Sequence, residues 1–212
     1  MYCSAIIVSI NSCTEMHNSK NHHKYYGNNN HGFHNVIEEY MSRVGKRLLI
    51  VNDNNKINSS NINFSFNNSD TTLLTIEYYQ KSIYQYNTIT LTKGVLNYLQ
   101  DEAELAAILA ISLETINSND IANFDLSAAL NADKRIIMHL YKAGYDPSAF
   151  VELEEEYLKD KNSQDNWLNF LFSPMNITTE RINANKKILL KIPKGLLRGK
   201  QPYLSNMYLL KK

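Results

Sequence analysis

Long apolar runs, a disulfide framework and a surplus of either charge are all missing from this 212-residue sequence. No run of about 18 apolar residues occurs, so no segment reads as a transmembrane helix. The two cysteines, Cys3 and Cys13, both lie near the start. That excludes a disulfide scaffold and a zinc module of the CxxC type. Four prolines and seven glycines exclude collagen-like or proline-rich sequence. Lys and Arg number 22 against 21 Asp and Glu. Such a balance gives no support for a nucleic-acid partner, which usually shows as a basic excess. What remains is a 43% hydrophobic content, enough for one buried core. Asparagine is abundant, at 28 residues, and reads as a compositional bias.

The chain divides into three parts. Residues 1–35 read as a polar, disordered or signal-like leader that holds five of the six histidines, His17, His22, His23, His31 and His34. It has too few apolar residues to offset the entropy of ordering. Ile10-Asn11-Ser12-Cys13 loosely resembles a bacterial lipoprotein cleavage site, which would place a lipid anchor on Cys13. Residues 36–190 carry the periodic patterns of a folded domain. Residues 191–212 read as a basic tail. With Lys186 and Lys187 it collects Lys191, Lys194, Arg198, Lys200, Lys211 and Lys212. This reads as solubilising charge, with an anionic lipid surface or nucleic acid as the alternative contact.

Within the domain, Val36, Ile37, Tyr40, Met41, Val44, Leu48 and Leu49 recur at helical spacing and predict a helix over 36–51. Ile62, Phe64 and Phe66 alternate with polar residues and predict a strand. Leu73–Tyr79 and Tyr84–Thr92 are further strands. Ile89 and Leu91 lie on one face of the latter, with Thr88, Thr90 and Thr92 on the other. Asp101–Thr115 carries acidic residues in its first turn, where the helix dipole favours them. It is apolar on nearly every side, as a central helix is. Further helices fit Leu126–Ala143, Ala149–Lys159 and Thr178–Leu189. Gly144 and Pro147 separate the first two of these.

Several of these segments, in order, resemble one family: the HExxH zinc metallopeptidases of bacterial envelopes, metallopeptidase family forty-eight, related to CAAX prenyl proteases and the HtpX class. Glu39-Tyr40, Arg43-Val44-Gly45 and Arg47-Leu48 resemble its lead helix. Ile89–Leu96 resembles its strand-to-helix step. Glu102–Ala110 is close to its "SEAELAAVLA". Ala132-Asp133 and Lys142-Ala143-Gly144-Tyr145-Asp146-Pro147 resemble its "EAD" and "ARAGYDP", and Thr179-Glu180-Arg181-Ile182 its late "TEERI". The resemblance covers about residues 36–187. It implies an α+β, zincin-like fold, mainly helical with a small sheet, in which helices 101–116 and 126–143 pack together.

The family's chemistry needs two His at i and i+4 to bind one zinc, with a Glu between them as general base. A third protein ligand leaves one position for water. Here Ile111 stands at the first His, Ser112 at the base and Thr115 at the second His. Ala129 stands at the third ligand, and Ser173-Pro174 at a late His-Pro. Asp133 remains; in the family it supports a ligand His. Ile and Ala cannot coordinate a metal, so the resemblance is to a degenerate member without zinc or any other cofactor.

Other arrangements are weaker. Ser112 with His139 and Asp133 lacks a nucleophile elbow. His139 stands alone among apolar residues. Glu152, Glu154, Glu155 and Glu156 read as a solvated helix face. Asp70, Asp101, Asp120 and Asp125 lack calcium-loop spacing.

The expected function is therefore that of a pseudoprotease: a peptide-binding or scaffold protein of the bacterial periplasm or envelope, in protein quality control. The alternative is an active zinc endopeptidase there, and the alternative location is the cytoplasm. Thr88, Thr90 and Thr92 mark the strand expected to offer an open edge to a peptide or client protein. Its neighbour Leu73–Tyr79 is the other candidate.

Overall fold

A computed structural model describes residues 31–51, 61–81, 84–118, 125–172 and 175–208. The leader histidines His17, His22 and His23, Cys3, Cys13 and the Ser173-Pro174 pair lie outside the described residues. The described chain is mixed α+β and mostly helical, with eight helices and one three-stranded sheet. None of these helices is long and apolar enough to cross a membrane.

Helix α1 (His31–Ile50) leads into strand β1 (Ile62–Asn67), then β2 (Leu74–Lys81) and β3 (Tyr84–Thr92). A short helix α2 (Lys93–Tyr98) follows, then α3 (Glu102–Ser118), α4 (Leu126–Lys142) and α5 (Ser148–Lys159). Next come α6 (Asn169–Phe172), α7 (Thr179–Leu189) and α8 (Lys200–Met207). α1 starts at His31, inside the stretch expected to be leader. Its first turn, His31-Gly32-Phe33-His34, carries no periodic signal.

The sheet order is β1-β3-β2, with β1 parallel and β2 antiparallel to β3. Alternation along each strand builds one apolar face. Phe66, Leu91 and Leu74 form one row across it, and Phe64, Ile89 and Ile76 the next. α1 packs on β1. A Cβ added to Gly45 would lie 2.2 Å from the Phe64 ring, so the helix approaches the strand where it has no side chain.

α3 is the centre of the molecule. Every residue from Glu102 to Glu114 is buried, and α1, α4, α5 and α8 pack around it. The buried carboxylates Glu102, Glu104 and Glu114 are therefore each paired internally. Glu102 accepts hydrogen bonds from the hydroxyls of Tyr40 (2.8 Å) and Tyr145 (2.9 Å). Arg47 donates to the Ala143 carbonyl at 2.8 Å. These bonds join the lead helix, the start of α3 and the turn after α4. That turn needs Gly144, whose φ is +81°. The residues that resemble the family at these three places are thus joints of the scaffold.

The described residues 191–208 are not a free tail. Tyr203 and Met207 are buried, and the Tyr203 hydroxyl donates to the Leu96 carbonyl. Arg198 pairs with Asp101 at 2.7 Å and with Glu152 at 2.9 Å. Ala103 N donates to the Arg198 carbonyl at 3.0 Å. α8 escapes a periodicity reading because it is short and mostly polar. Its Pro202 falls in the first turn, where no amide donor is required.

Candidate functional site

α3 and α4 pack against each other, and Ile111, Ser112, Thr115 and Ala129 lie on these two helices. Ile111 is 2% exposed and belongs to the main apolar core. Ala129 is buried on α4. Ser112 donates its hydroxyl to the Ile108 carbonyl at 2.9 Å, and Thr115 donates to the Ile111 carbonyl at 2.9 Å. Both hydroxyls are satisfied by the turn that precedes them, a local bond available to Ser and Thr in any helix. A zinc ion does not fit these four side chains: two have no donor atom and two are committed to the backbone. Among the described residues no group of three or more His, Cys, Asp and Glu could hold a metal ion.

The polar centre lies beside this filling, where α4, α5 and α7 meet. Asp133 is fully buried and accepts from Arg181 Nε and Nη2, each at 2.5 Å. Arg181 Nη1 donates to the Met175 carbonyl. Asn185 Nδ2 bridges the two carboxylates, with Asp133 Oδ2 at 3.0 Å and Glu154 Oε2 at 2.9 Å. Glu154 Oε1 has no hydrogen-bond partner and lies 3.8 Å from Arg181 Nε. One guanidinium thus serves two buried carboxylates. Burial, then the charge of Asp133, pushes the Glu154 carboxyl well above the ordinary range. Burial alone would lower the Arg181 pKa, but its hydrogen bonds to Asp133 and the two carboxylate charges raise it instead.

Two readings change here. Asp133, expected to resemble a residue that supports a metal ligand, spends both oxygens on Arg181 and Asn185. Glu154, expected on a solvated face, is fully buried, whereas Glu152 and Glu156 are exposed. Helical spacing explains this: Glu154 lies four residues after Phe150 and three before Tyr157, both buried. That spacing was legible. The Arg181 partnership was not, because forty-eight residues separate the pair.

The strand-edge expectation is also corrected. β3 lies between β1 and β2, so both its edges are hydrogen-bonded. Thr88 and Thr90 pair with Glu77 and Thr75 of β2. Thr92 is buried, and its hydroxyl donates to the Thr71 carbonyl at 2.5 Å. None of the three offers main chain to a peptide. β1 is covered on its outer side by α1, where Glu38 accepts from Phe66 N at 2.9 Å. β2 has no strand on its outer side among the described residues. Thr92 N donates to the Leu73 carbonyl at 3.2 Å, which fixes the phase of the ladder. In antiparallel pairs the bonded residues alternate. Thr75, Glu77 and Tyr79 therefore face β3, and the main chain of Leu74, Ile76 and Tyr78 faces outward. The Tyr78 side chain is exposed.

A separate groove of about 540 Å³ runs along α1 and is lined by Glu38, Glu39, Arg43, Lys46, Arg47 and Phe64, among others. Two of its three cations have internal work: Arg43 lies over the Tyr40 ring and Arg47 over the Tyr145 ring. Compared with models of known protein families and with curated proteins, the chain matches none.

Proposed function

We propose that this chain is a metallopeptidase-like scaffold of the bacterial envelope that binds an extended peptide or client protein and does not hydrolyse it. The supporting observation is the filling at the four positions where the resemblance places the zinc site: Ile111 and Ala129 are buried and apolar, and the Ser112 and Thr115 hydroxyls bond the carbonyls of their own helix. The zincin-like character, the envelope location and a role in protein quality control rest on the sequence resemblance. The peptide's place is the outer edge of β2. There an added strand gains main-chain hydrogen bonds from Leu74, Ile76 and Tyr78 without any metal.

The test is titration of a labelled library of extended peptides against wild type and Tyr78→Pro. Proline at an outward-facing edge position removes one donor without breaking the inner ladder. Wild type should bind and the folded variant should lose affinity. Absence of binding by wild type, or equal binding by the variant, contradicts the edge assignment.

A further inference from the structure

The near-neutral total hides a division of charge along the chain. Residues 181–212 hold nine Lys or Arg and no Asp or Glu, whereas residues 1–180 hold thirteen Lys or Arg against twenty-one Asp or Glu. Two of the nine, Arg181 and Arg198, are consumed by internal ion pairs, and Lys186 pairs with Glu155 at 2.6 Å. Lys187, Lys191 and Lys194 are exposed and have no acidic partner among the described residues. They surround an apolar stretch, Leu189-Leu190-Lys191-Ile192-Pro193. Leu190 is 86% exposed at the very end of α7.

This stretch is ordered: Ile188, Leu189 and Ile192 pack against the core, and Leu190 points out from it. Leu190 N donates to the Lys186 carbonyl at 3.2 Å, Lys191 N to Ile188 at 3.0 Å and Ile192 N to Leu189 at 3.0 Å. A Cβ built on Gly195, whose φ is +88°, meets nothing within 4 Å, so the chain faces open space at that residue. Its base is fixed. Leu197 bridges Tyr145, exchanging bonds with Gly144 O at 3.1 Å and Asp146 N at 3.0 Å. Arg198 then locks into its carboxylate cluster.

We infer that the turn at 187–195 is a membrane-surface contact: Leu190 enters the headgroup region of an anionic bilayer while Lys187, Lys191 and Lys194 meet the lipid phosphates. The chemistry favours lipid over nucleic acid. The exposed apolar residue at the tip, Leu190, is aliphatic and suited to acyl chains, and no aromatic ring in 187–197 could stack on a base. The contact is independent of the peptide edge on β2 and of the filling around Ile111.

The test is co-flotation of the full-length chain with phosphatidylcholine vesicles, with and without phosphatidylglycerol. The chain should float with the anionic vesicles and be released by high salt. Each lost lysine should weaken partitioning roughly fivefold. Leu190→Ser should weaken it roughly tenfold, a buried side chain's worth. The triple variant Lys187→Gln, Lys191→Gln, Lys194→Gln changes only exposed side chains, and Leu190→Ser supplies an independent reading should the triple variant misfold. A duplex DNA arm runs in parallel. Failure to float with anionic vesicles overturns the inference, as does flotation indifferent to Leu190→Ser. DNA binding stronger than vesicle binding and insensitive to Leu190→Ser would instead make this a nucleic-acid surface.

Discussion

Arg181 and Asp133 meet as a two-point pair, Nε and Nη2 of the guanidinium each 2.5 Å from a carboxylate oxygen, with both side chains buried. The pair joins α4 to α7 across the interior. Removing one partner of such a pair leaves a charge stranded, at a cost of ~3–5 kcal/mol. Asp133→Ala should therefore lower stability in denaturant unfolding, by less than that full figure because Glu154 remains 3.8 Å from Arg181 Nε. The double variant Asp133→Leu, Arg181→Met should be less destabilised than Asp133→Ala. A double variant at least as unstable as the single one would show that the pair contributes more than it costs to bury.

Stability should also fall as pH rises. Burial pushes the Glu104 carboxyl up to about 7, and Glu154 is raised by burial and the Asp133 charge. The folded chain holds these protons where the unfolded chain has released them. Their contribution is full below the ordinary carboxylate range near 4.5 and is lost as pH climbs through the raised values. Glu154→Gln keeps that position neutral at every pH. Denaturant midpoints measured from the acid side to above pH 7 should decline less steeply in Glu154→Gln than in wild type. Equal slopes would remove Glu154 as a source.

Gly45→Ala should destabilise the chain although alanine is the better helix former. The added methyl meets the Phe64 ring at 2.2 Å. Overpacking of this kind costs ~1–3 kcal/mol, against about 1 kcal/mol regained from helix propensity. Phe64→Leu should partly rescue Gly45→Ala in a double-mutant cycle, and additive effects would argue against the contact.

The sheet gives an internal comparison. Thr90 pairs with Thr75 inside the ladder, whereas the Tyr78 main chain faces outward. Thr90→Pro strands a partner carbonyl and should cost at least ~1–3 kcal/mol. Tyr78→Pro should leave the melting temperature close to wild type. A large drop for Tyr78→Pro would mean that its amide is bonded within the fold.

Much of the architecture was legible because its signals are local. Phe64 and Phe66 alternate, α3 is apolar on all sides, and Gly144-Tyr145-Asp146-Pro147 stops one helix and allows the next. The alternation over Tyr84–Thr92 predicts β3 at its observed limits. Its central position in the sheet was not legible, since strand order depends on β1 pairing across β2. That is why Thr88, Thr90 and Thr92 were expected at an edge and lie in the middle. Arg181 and Asp133 each stood in a recognised stretch, yet nothing local says that they touch. α8 was missed because what holds it, Tyr203 against Leu96 and Arg198 against Asp101, is all long-range.

Zinc content, measured by elemental analysis on untagged full-length protein, tests the central claim most directly. His17, His22, His23, His31 and His34 are replaced by Ala so that the N-terminal histidines cannot supply metal of their own. The account predicts no stoichiometric zinc and no cleavage of an unfolded protein substrate. One zinc per chain, with cleavage that disappears on chelation and returns with zinc, would contradict it.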